Sequence, residues 1–377
     1  MKIGILTLPL NNNYGGLLQC FALQKVLKSL GHDAWVVQRG YANRSIIWRI
    51  FHYVRQTMKV LLGRKFIHLL PSKEIKYIRK NTSNFISNYI EPATEHIRTN
   101  KQLANFHFSN KFDAYVVGSD QVWRPCYSPC ITNYFFDFIS PNEKVKRVAY
   151  AASFGVDEWE FTEKETIICG DLLRLFNAVS VRENTAIALC SNNWGREDVI
   201  QVLDPTMLLE KEDYIRIVEK ENEPKSPGNL FCYILDESSE KNQVVESIAS
   251  RIDAVPFTQM PKCEITYENL RDRLDDCVYP SVTAWLRAFV DADMVVTDSF
   301  HGCVFSIIFN KPFWVLGNEG RGLARFNSLL SLFELQSRMI NSSSMPTDIT
   351  DPIDWSQVNA IRRKWKETSL NFLKNNL

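Results

Sequence analysis

The chain has 377 residues, 45% of them hydrophobic, and a formal net charge of +1, which is the composition of an ordinary folded protein. This length exceeds what one hydrophobic core usually supports, so we expect two domains. The near-zero net charge provides no general attraction to nucleic acid, and we expect no nucleic-acid partner. No apolar run approaches the roughly 20 residues that a bilayer span requires, and the first residues lack a signal-peptide pattern.

The cysteine pattern points to a cytoplasmic protein. Nine cysteines are scattered through apolar segments, an odd count that suits reduced thiols better than a disulfide framework. Cys126 and Cys130 are four residues apart, but no matching Cys/His pair completes a zinc site nearby. We therefore expect a plain loop there and no metal site.

The first elements form a βαβ unit. Residues 1–8 predict a strand, residues 11–16 (NNNYGG) a polar turn, residues 17–30 a helix that ends before Gly31, and residues 34–37 a second strand. The polar turn follows the carboxyl end of a strand, where open α/β sheets bind ligands. A Gly-x-Gly-x-x-Gly fingerprint is missing from this turn, which argues against a dinucleotide site.

Residues 39–80 combine a basic run with apolar side chains. Arginine and lysine outnumber acidic residues strongly, Glu74 being the single acidic residue, and aromatic and aliphatic residues such as Trp48 and Phe51 are interleaved with them. Such a helix is typical of a membrane-surface element. The alternative is an amphipathic helix that packs on its own domain and leaves its basic face in water.

Further along, four more apolar runs each lead into a polar turn. These runs are residues 114–117, 147–152, 178–181 and 202–203, and they precede Ser119 and Asp120, residues 153–155, Arg182, and Asp204 respectively. Because the carboxyl ends of parallel strands meet at one edge of a sheet, these polar residues are expected to gather there. A second strand–helix series restarts near residue 230, and we place the domain boundary at 172/173.

Residues 297–302 (TDSFHG) lie between a buried strand and a buried helix. The unpaired N–H groups and partial positive charge of a helix start bind anions. His301 in the first turn can both contact an anion and move a proton. We expect Asp298 or Ser299 to cap this helix.

Seven short blocks resemble, in order and spacing, the polysaccharide pyruvyl transferase family. The blocks are residues 12–24, 118–123, 149–155, 180–183, 203–206, 297–302 and 325–330. Each block alone has modest specificity, but together they cover nearly the whole chain.

The resemblance implies an α/β fold with two Rossmann-like domains facing across a cleft, as in GT-B glycosyltransferases. By this analogy we expect an acceptor-side domain at 1–172, a donor-side domain at 173–353, and a helix at 354–377 that crosses back to the first domain. The implied reaction moves the pyruvyl group of phosphoenolpyruvate onto two hydroxyls of one sugar, giving a cyclic ketal and phosphate. Phosphoenolpyruvate is then a co-substrate, and no further cofactor is expected.

The resemblance also implies roles for the residues of the blocks. The implied catalytic residues are His301, Arg182, Asp120 and Asp204. The donor side comprises Arg182, Ser299, His301, Gly302 and Arg325. The acceptor side comprises Asn12, Asn13, Tyr14, Gly15, Ser119 and Asp120. Which residue is the general acid and which the base stays open, and Asp204 before Pro205 can equally just shape a turn.

The expected acceptor is a galactose-type sugar on a glycan or polyprenyl-diphosphate precursor of capsular or exopolysaccharide. Such an enzyme would work in the cytoplasm, at the inner face of the membrane if residues 39–80 touch lipid. Two other classes stay open: a nucleotide-sugar glycosyltransferase on the same fold, and a non-catalytic sugar-binding member of a polysaccharide assembly.

Overall fold

The structure is a computed structural model that describes residues 1–42, 46–61, 69–317, 322–340 and 348–377. The first half alternates strands and helices in this order: β1 (Lys2–Leu6), α1 (Tyr14–Ser29), β2 (Asp33–Val36), α2 (Ile46–Leu61), α3 (Ser72–Ile78), α4 (Lys80–Tyr89), α5 (Asn100–Asn110), β3 (Ala114–Val117), β4 (Lys146–Ala152), α6 (Glu163–Leu173), β5 (Ala178–Val181), α7 (Thr185–Trp194) and β6 (Ile200–Gln201).

The second half continues the alternation. Its elements are α8 (Lys211–Lys220), β7 (Leu230–Tyr233), α9 (Ser239–Ile252), β8 (Pro256–Phe257), α10 (Tyr267–Asp272), α11 (Val282–Asp291), β9 (Met294–Thr297), α12 (Phe300–Ile308), β10 (Phe313–Leu316), α13 (Ala324–Leu332), β11 (Met339–Ile340) and α14 (Trp355–Asn376). Short 3₁₀ turns include Pro205–Leu208 after β6 and Leu274–Cys277 before α11.

Both sheets are parallel. Among the described residues the first sheet has the strand order β2-β1-β3-β4-β5-β6 and the second β11-β10-β9-β7-β8. The central strands β3, β5, β7 and β9 are buried at every position. Their continuous apolar runs suit a parallel sheet covered by helices on both faces. This architecture brings the turns after the strands to one edge of each sheet.

The change from one sheet to the other comes later than the sequence suggested. Strands β5 and β6 pair in the first sheet, and β7 opens the second. The expected boundary at 172/173 falls in the last turn of α6, two strands before the sheets change, and the division into acceptor-side and donor-side domains stays a prediction. Asp204 consequently follows the last strand of the first half.

Helices from both halves share one hydrophobic core. Tyr14 of α1 stacks on Trp285 of α11 with ring centroids 5.7 Å apart, and its hydroxyl donates to the carbonyl of Pro280 at 2.9 Å. Helix α14 contacts the first half: the hydroxyl of Ser369 accepts from the backbone N–H of Leu203 at 3.0 Å. The two halves are thus held together by direct contacts of α1 and α14, close to the turns that carry the polar residues.

The basic segment 39–80 is partly exposed in the structure. Arg39 is buried, and its guanidinium donates to the side-chain oxygen of Asn133 at 2.8 Å. It therefore differs from the rest of the basic run, which was expected to be exposed. Its polar neighbours explain the burial, because a buried guanidinium needs acceptors. Residues 43–45 and 62–68 lie outside the described part of the chain. None of the described helices is both long and apolar enough to cross a membrane.

Candidate active site

Arg182 lies at the centre of a buried polar cluster at the carboxyl edge of the first sheet. It directly follows β5, and its guanidinium donates to Asp204 Oδ2 at 3.1 Å, to Asp120 Oδ1 at 3.3 Å and to the hydroxyl of Ser153 at 3.2 Å. Asp120 and Asp204 come from the turns after β3 and β6, so three predicted blocks converge on one side chain. Arg182 is therefore engaged by carboxylates, and its predicted contact with a donor competes with them.

Asp204 is the most highly connected carboxylate of the cluster. Its Oδ1 accepts from the backbone N–H and the hydroxyl of Thr206, and its Oδ2 accepts from Ser119 at 3.2 Å as well as from Arg182. Burial raises the pKa of Asp204, but the nearby imidazole of His301 and the guanidinium of Arg182 outweigh it and hold that pKa well below its ordinary value. Asp204 thus shapes the turn before Pro205 and also carries a fixed negative charge.

His301 reaches this cluster from the second half. Its Nε2 lies 3.4 Å from Asp204 Oδ2, close enough for an ion pair but without hydrogen-bond alignment. On its other side the ring packs against Gly15 in the first turn of α1. A Cβ at position 15 would lie 2.1 Å from His301 Nδ1, so only glycine permits this approach. Gly15 therefore makes room for the imidazole.

The start of α12 carries no side-chain cap, contrary to expectation. Ser299 occupies the N-cap position, but its side chain accepts no helix N–H. Asp298 points elsewhere: its carboxylate accepts from the backbone N–H groups of Leu235 and Asp236 and from Lys241. It ties the turn before α12 to the turn after β7. The first N–H groups of α12 thus receive no cap from the Ser299 side chain.

Phe300 lies between the two arginines that the sequence assigned to the donor. The guanidinium carbon of Arg182 is 4.2 Å from the ring centroid, and that of Arg325 is 5.9 Å away. Burial and the neighbouring charge of Arg182 lower the pKa of Arg325 to about 10. The surroundings make this positive charge less favourable than in water, but the guanidinium stays charged at neutral pH and would attract an anion brought beside it. Phe300 itself is buried, as is Trp123.

A cleft of about 200 Å³ opens beside the polar cluster. Its polar lining includes Asn13 and Asp120 of the predicted acceptor set, and Tyr41 and Tyr127 add aromatic surface. This mixture of aromatic, amide and carboxylate groups suits a sugar, which has both apolar and hydroxyl faces.

Four residues predicted for the acceptor lie outside that cleft lining. Tyr14 is buried against the second half, Gly15 faces His301, and Ser119 is buried on Asp204. The side chain of Asn12 hydrogen-bonds Tyr279. These residues position the cluster and the two halves, because their polar atoms are already used within the protein.

Glu183 and Ser153 hold the cluster in place, and their roles were not predicted. Glu183 Oε1 accepts from the Ser153 hydroxyl at 2.8 Å and from the backbone N–H of Phe154 at 3.0 Å, while its Oε2 lies 3.8 Å from Arg182 Nε. Both residues lie in blocks that resemble the family, but neither was given a role of its own. The sequence signal that could have identified them is that Ser153 lies in block 149–155 and Glu183 in block 180–183.

Metal-ligating groups do not cluster in the part of the chain that the structure describes: no set of three His, Cys, Asp or Glu side chains is arranged to hold an ion. Cys126 and Cys130 are both free thiols in the loop after β3.

A family model described as polysaccharide pyruvyl transferase matches residues 13–320. No curated protein matches the sequence.

Solved structures of about 10% identity share the fold. Arabidopsis thaliana UGT89C1, complexed with UDP-L-rhamnose, has a TM-score of 0.52 and 9% identity, and the match covers 99% of this chain and 98% of that chain. UDP-GlcNAc 2-epimerase from Neisseria meningitidis has a TM-score of 0.50, 10% identity and coverages of 98% and 94%. The Methanocaldococcus jannaschii 2-epimerase has a TM-score of 0.50, 11% identity and coverages of 98% and 93%. These likenesses and the two facing parallel sheets confirm the predicted GT-B-like fold class.

Proposed function

Because the chain belongs to the polysaccharide pyruvyl transferase family, we propose that it moves the pyruvyl group of phosphoenolpyruvate onto two hydroxyls of one sugar. The family supports a pyruvyl transfer role in polysaccharide biosynthesis. The donor, the ketal product and the acceptor are our proposal.

One observation carries this proposal: His301 at the start of α12 faces the buried Asp204 of the other half at 3.4 Å. A histidine held by a fixed carboxylate is oriented for proton transfer. The depressed pKa of Asp204 keeps that carboxylate charged, so it orients His301 and does not itself exchange the proton.

The reaction needs a proton at C3 of the enol, which makes C2 electrophilic. We assign that proton to His301. A sugar hydroxyl then attacks C2 and loses its proton to Asp120, the carboxylate that lines the cleft. The bond from C2 to the phosphate oxygen breaks, and phosphate leaves with the bonding electrons. The second hydroxyl attacks C2 and gives its proton to the departing phosphate, which closes the ketal.

The donor's two anionic groups suit the start of α12 and Arg325. The first N–H groups of this helix lack a cap from Ser299, and the helix dipole favours a negative charge there. Arg325 offers a planar donor fork for a phosphate or carboxylate. Arg325 is buried, so little water would screen the attraction between its positive charge and a bound anion. No metal or further cofactor is part of this proposal.

The acceptor belongs in the cleft lined by Asn13, Asp120 and Tyr127. Its volume of about 200 Å³ suits one sugar residue. We propose a galactose-type sugar on a polyprenyl-diphosphate-linked glycan, as in the assembly of capsule or exopolysaccharide.

The first experiment measures phosphate release from phosphoenolpyruvate with lipid-linked galactose-type acceptors. We expect release that depends on the acceptor, a product heavier by one pyruvyl ketal, and collapse of both in His301→Ala. His96→Ala, which alters an exposed histidine away from the cluster, serves as the matched control. No release with any acceptor, together with a thermal shift by a nucleotide sugar, would instead favour the glycosyltransferase alternative.

We further propose that α2 holds the enzyme at an anionic membrane surface. Phe51, Val54 and Met58 occupy positions i, i+3 and i+7 of this helix, which places them on one face. They are 75%, 55% and 61% exposed, so their own domain does not cover them. Arg55 in the same helix is exposed as well. Apolar and basic exposed groups on one helix suit a layer of anionic headgroups over acyl chains.

The position of α2 fits a lipid-linked acceptor. Tyr41 lines the cleft and α2 begins at Ile46, so the connecting chain spans at most about 18 Å. A membrane bound by α2 would therefore lie near the cleft.

Co-sedimentation with vesicles tests this membrane contact separately from the activity. We expect binding to vesicles that contain phosphatidylserine, and loss of binding on charge reversal of Arg49, Arg55 and Lys59 or on Phe51→Ser with Met58→Ser. Binding that survives both sets of changes would refute it. Pyruvyl transfer to a water-soluble acceptor should be unchanged in these variants.

A further inference from the structure

Cys263 and Cys277 bring their thiols into direct contact. Their sulfur atoms are 3.1 Å apart, and both residues are free thiols. The backbone holds them opposite each other, because the N–H of Lys262 donates to the carbonyl of Asp276 at 2.8 Å. Sulfur atoms in a disulfide are about 2.05 Å apart, so only a small approach separates this pair from a covalent bond.

The two cysteines belong to a segment that connects the halves, which we call the clasp segment (residues 258–281). Between β8 and α11 it leaves the second half and contacts the first: Tyr77 of α3 donates to Asp275 at 2.7 Å, and the N–H of Tyr279 donates to the carbonyl of Ile78 at 2.9 Å. Ile78 and Leu270 pack with Cys277 in a small separate apolar cluster.

The end of the clasp segment contacts the turn before α1 and the first residue of that helix. Tyr279 is hydrogen-bonded by Asn12, and the carbonyl of Pro280 accepts from Tyr14 at 2.9 Å. The thiol pair thus lies within a few residues of contacts that position α1 and, through Gly15, the imidazole of His301.

We propose that Cys263 and Cys277 are a redox-active dithiol whose disulfide fastens the clasp segment and steadies the contact between the halves. This inference is independent of the reaction proposed above. It also revises the expectation that all nine cysteines stay reduced.

The oxidant is a low-molecular-weight disulfide. Cys263 is partly exposed and Cys277 is buried, so the first attack comes from Cys263. Its thiolate attacks one sulfur of the oxidant and releases one thiol, leaving a mixed disulfide. The thiolate of Cys277 then attacks the Cys263 sulfur and releases the second thiol. Two protein thiols and one small disulfide thus become one protein disulfide and two small thiols.

Burial and the neighbouring Cys263 raise the pKa of the Cys277 thiol to about 11. The Cys277 thiol is therefore mostly protonated at neutral pH, and its burial leaves the adjacent Cys263 sulfur as the partner within reach.

The test equilibrates the full-length protein in glutathione buffers of graded ratio, traps free thiols by alkylation, and maps peptides without reduction. Arg271 and Arg273 lie between the two cysteines, so trypsin yields two peptides joined by the disulfide. We expect this joined pair to appear in oxidising buffer and to vanish in Cys263→Ser and Cys277→Ser, but to persist in Cys126→Ser. A stable glutathione adduct on Cys263 without closure, or two freely alkylated thiols throughout, would overturn the proposal.

Oxidised and reduced wild-type protein are then compared by Tm and by the rate of limited trypsin cleavage at Arg271 and Arg273. We expect a higher Tm and several-fold slower cleavage in the oxidised form, and no difference when the same buffers are applied to Cys263→Ser. Equal values for the two wild-type forms would refute the fastening role even if the disulfide forms. Because this comparison uses unaltered protein, a variant that folds poorly does not affect it.

Discussion

The starts of α1 and α12 follow the same plan, a strand followed by a polar turn and a helix, but they use their polar groups differently. At α1 the side chain of Asn13 accepts from the N–H of Gly16 at 3.1 Å and caps the helix. At α12 the equivalent side chain, Ser299, makes no such bond. The two helix starts face each other, with Gly15 against His301.

The same arrangement of strand, turn and helix can therefore stabilise the fold at one helix start and leave another available for binding. The capped start is satisfied within the protein and contributes to folding. In the reaction that we propose, the N–H groups and partial positive charge of the uncapped start bind an anion of the donor. Five substitutions test this division.

The largest expected effect is on chemistry at the α12 start. His301→Gln keeps a polar side chain of similar size but cannot donate a titratable proton, so we expect kcat to fall about 10²–10⁴-fold. Steady-state kinetics with phosphoenolpyruvate would show this, together with an unchanged Tm. A variant that keeps full kcat would remove His301 from the reaction.

The second effect tests the buried charge that orients His301. Asp204→Asn removes one partner of Arg182 and His301, and we expect a loss of about 3 kcal/mol in the free energy of unfolding at pH 7. Urea titration measures this, with the exposed Asp198→Asn as the control, for which we expect less than about 0.5 kcal/mol.

The same carboxylate gives the protein an acid limit. The pKa of Asp204 is lower in the folded protein than in the unfolded chain. Its charge therefore contributes fully to the free energy of unfolding above the ordinary pKa of 3.8, and this contribution is lost as the pH falls below that value. Wild-type stability should therefore fall more steeply below pH 3.8 than that of Asp204→Asn. Parallel slopes in the two proteins would contradict this assignment.

The third effect concerns the contact between the two helix starts. In Gly15→Ala the new Cβ would meet His301 at 2.1 Å, so we expect a loss of about 1–3 kcal/mol in unfolding free energy and a fall in kcat. Gly40→Ala is the control, because no atom lies within 4 Å of its added Cβ. Equal stability of the two variants would argue against the close packing.

The smallest expected effect is the difference in unfolding free energy between substitutions at the two N-cap positions. Asn13→Ala removes a capping acceptor and should destabilise the protein by about 1 kcal/mol. Ser299→Ala removes no cap and should change stability by less than about 0.5 kcal/mol, while raising the KM for phosphoenolpyruvate. If Ser299→Ala proves the more destabilising of the two, our distinction between the starts fails.

The fold was predictable because its signals are local. The βαβ opening appears in the structure as β1, α1 and β2, and Gly31 ends α1 with a positive φ of 87°. The sheet boundary was missed because apolar strands look alike whichever sheet they join. Nothing in residues 178–181 alone states that β5 pairs with β4.

The sequence predicted which residues lie together in the candidate site, but not the directions of their side chains, and the roles of these residues stay predictions. Arg182 and Asp204 meet because turns after parallel strands share an edge, and His301 reaches them from the second sheet. The sequence could not show that Tyr14 turns into the core or that Asp298 points to β7 instead of capping α12. Such directions depend on partners distant in the chain.

The contact between Asp204 and His301 restricts how members of this fold can be recombined. Asp204 follows the last strand of the first sheet, and His301 begins a helix of the second. A chimaera joined between Asp204 and Leu230 inherits each partner from a different parent. Gly15, which makes room for the imidazole, travels with the first parent. Exchange of first halves between relatives should therefore succeed only where the first parent supplies Gly15 and Asp204 and the second parent supplies His301.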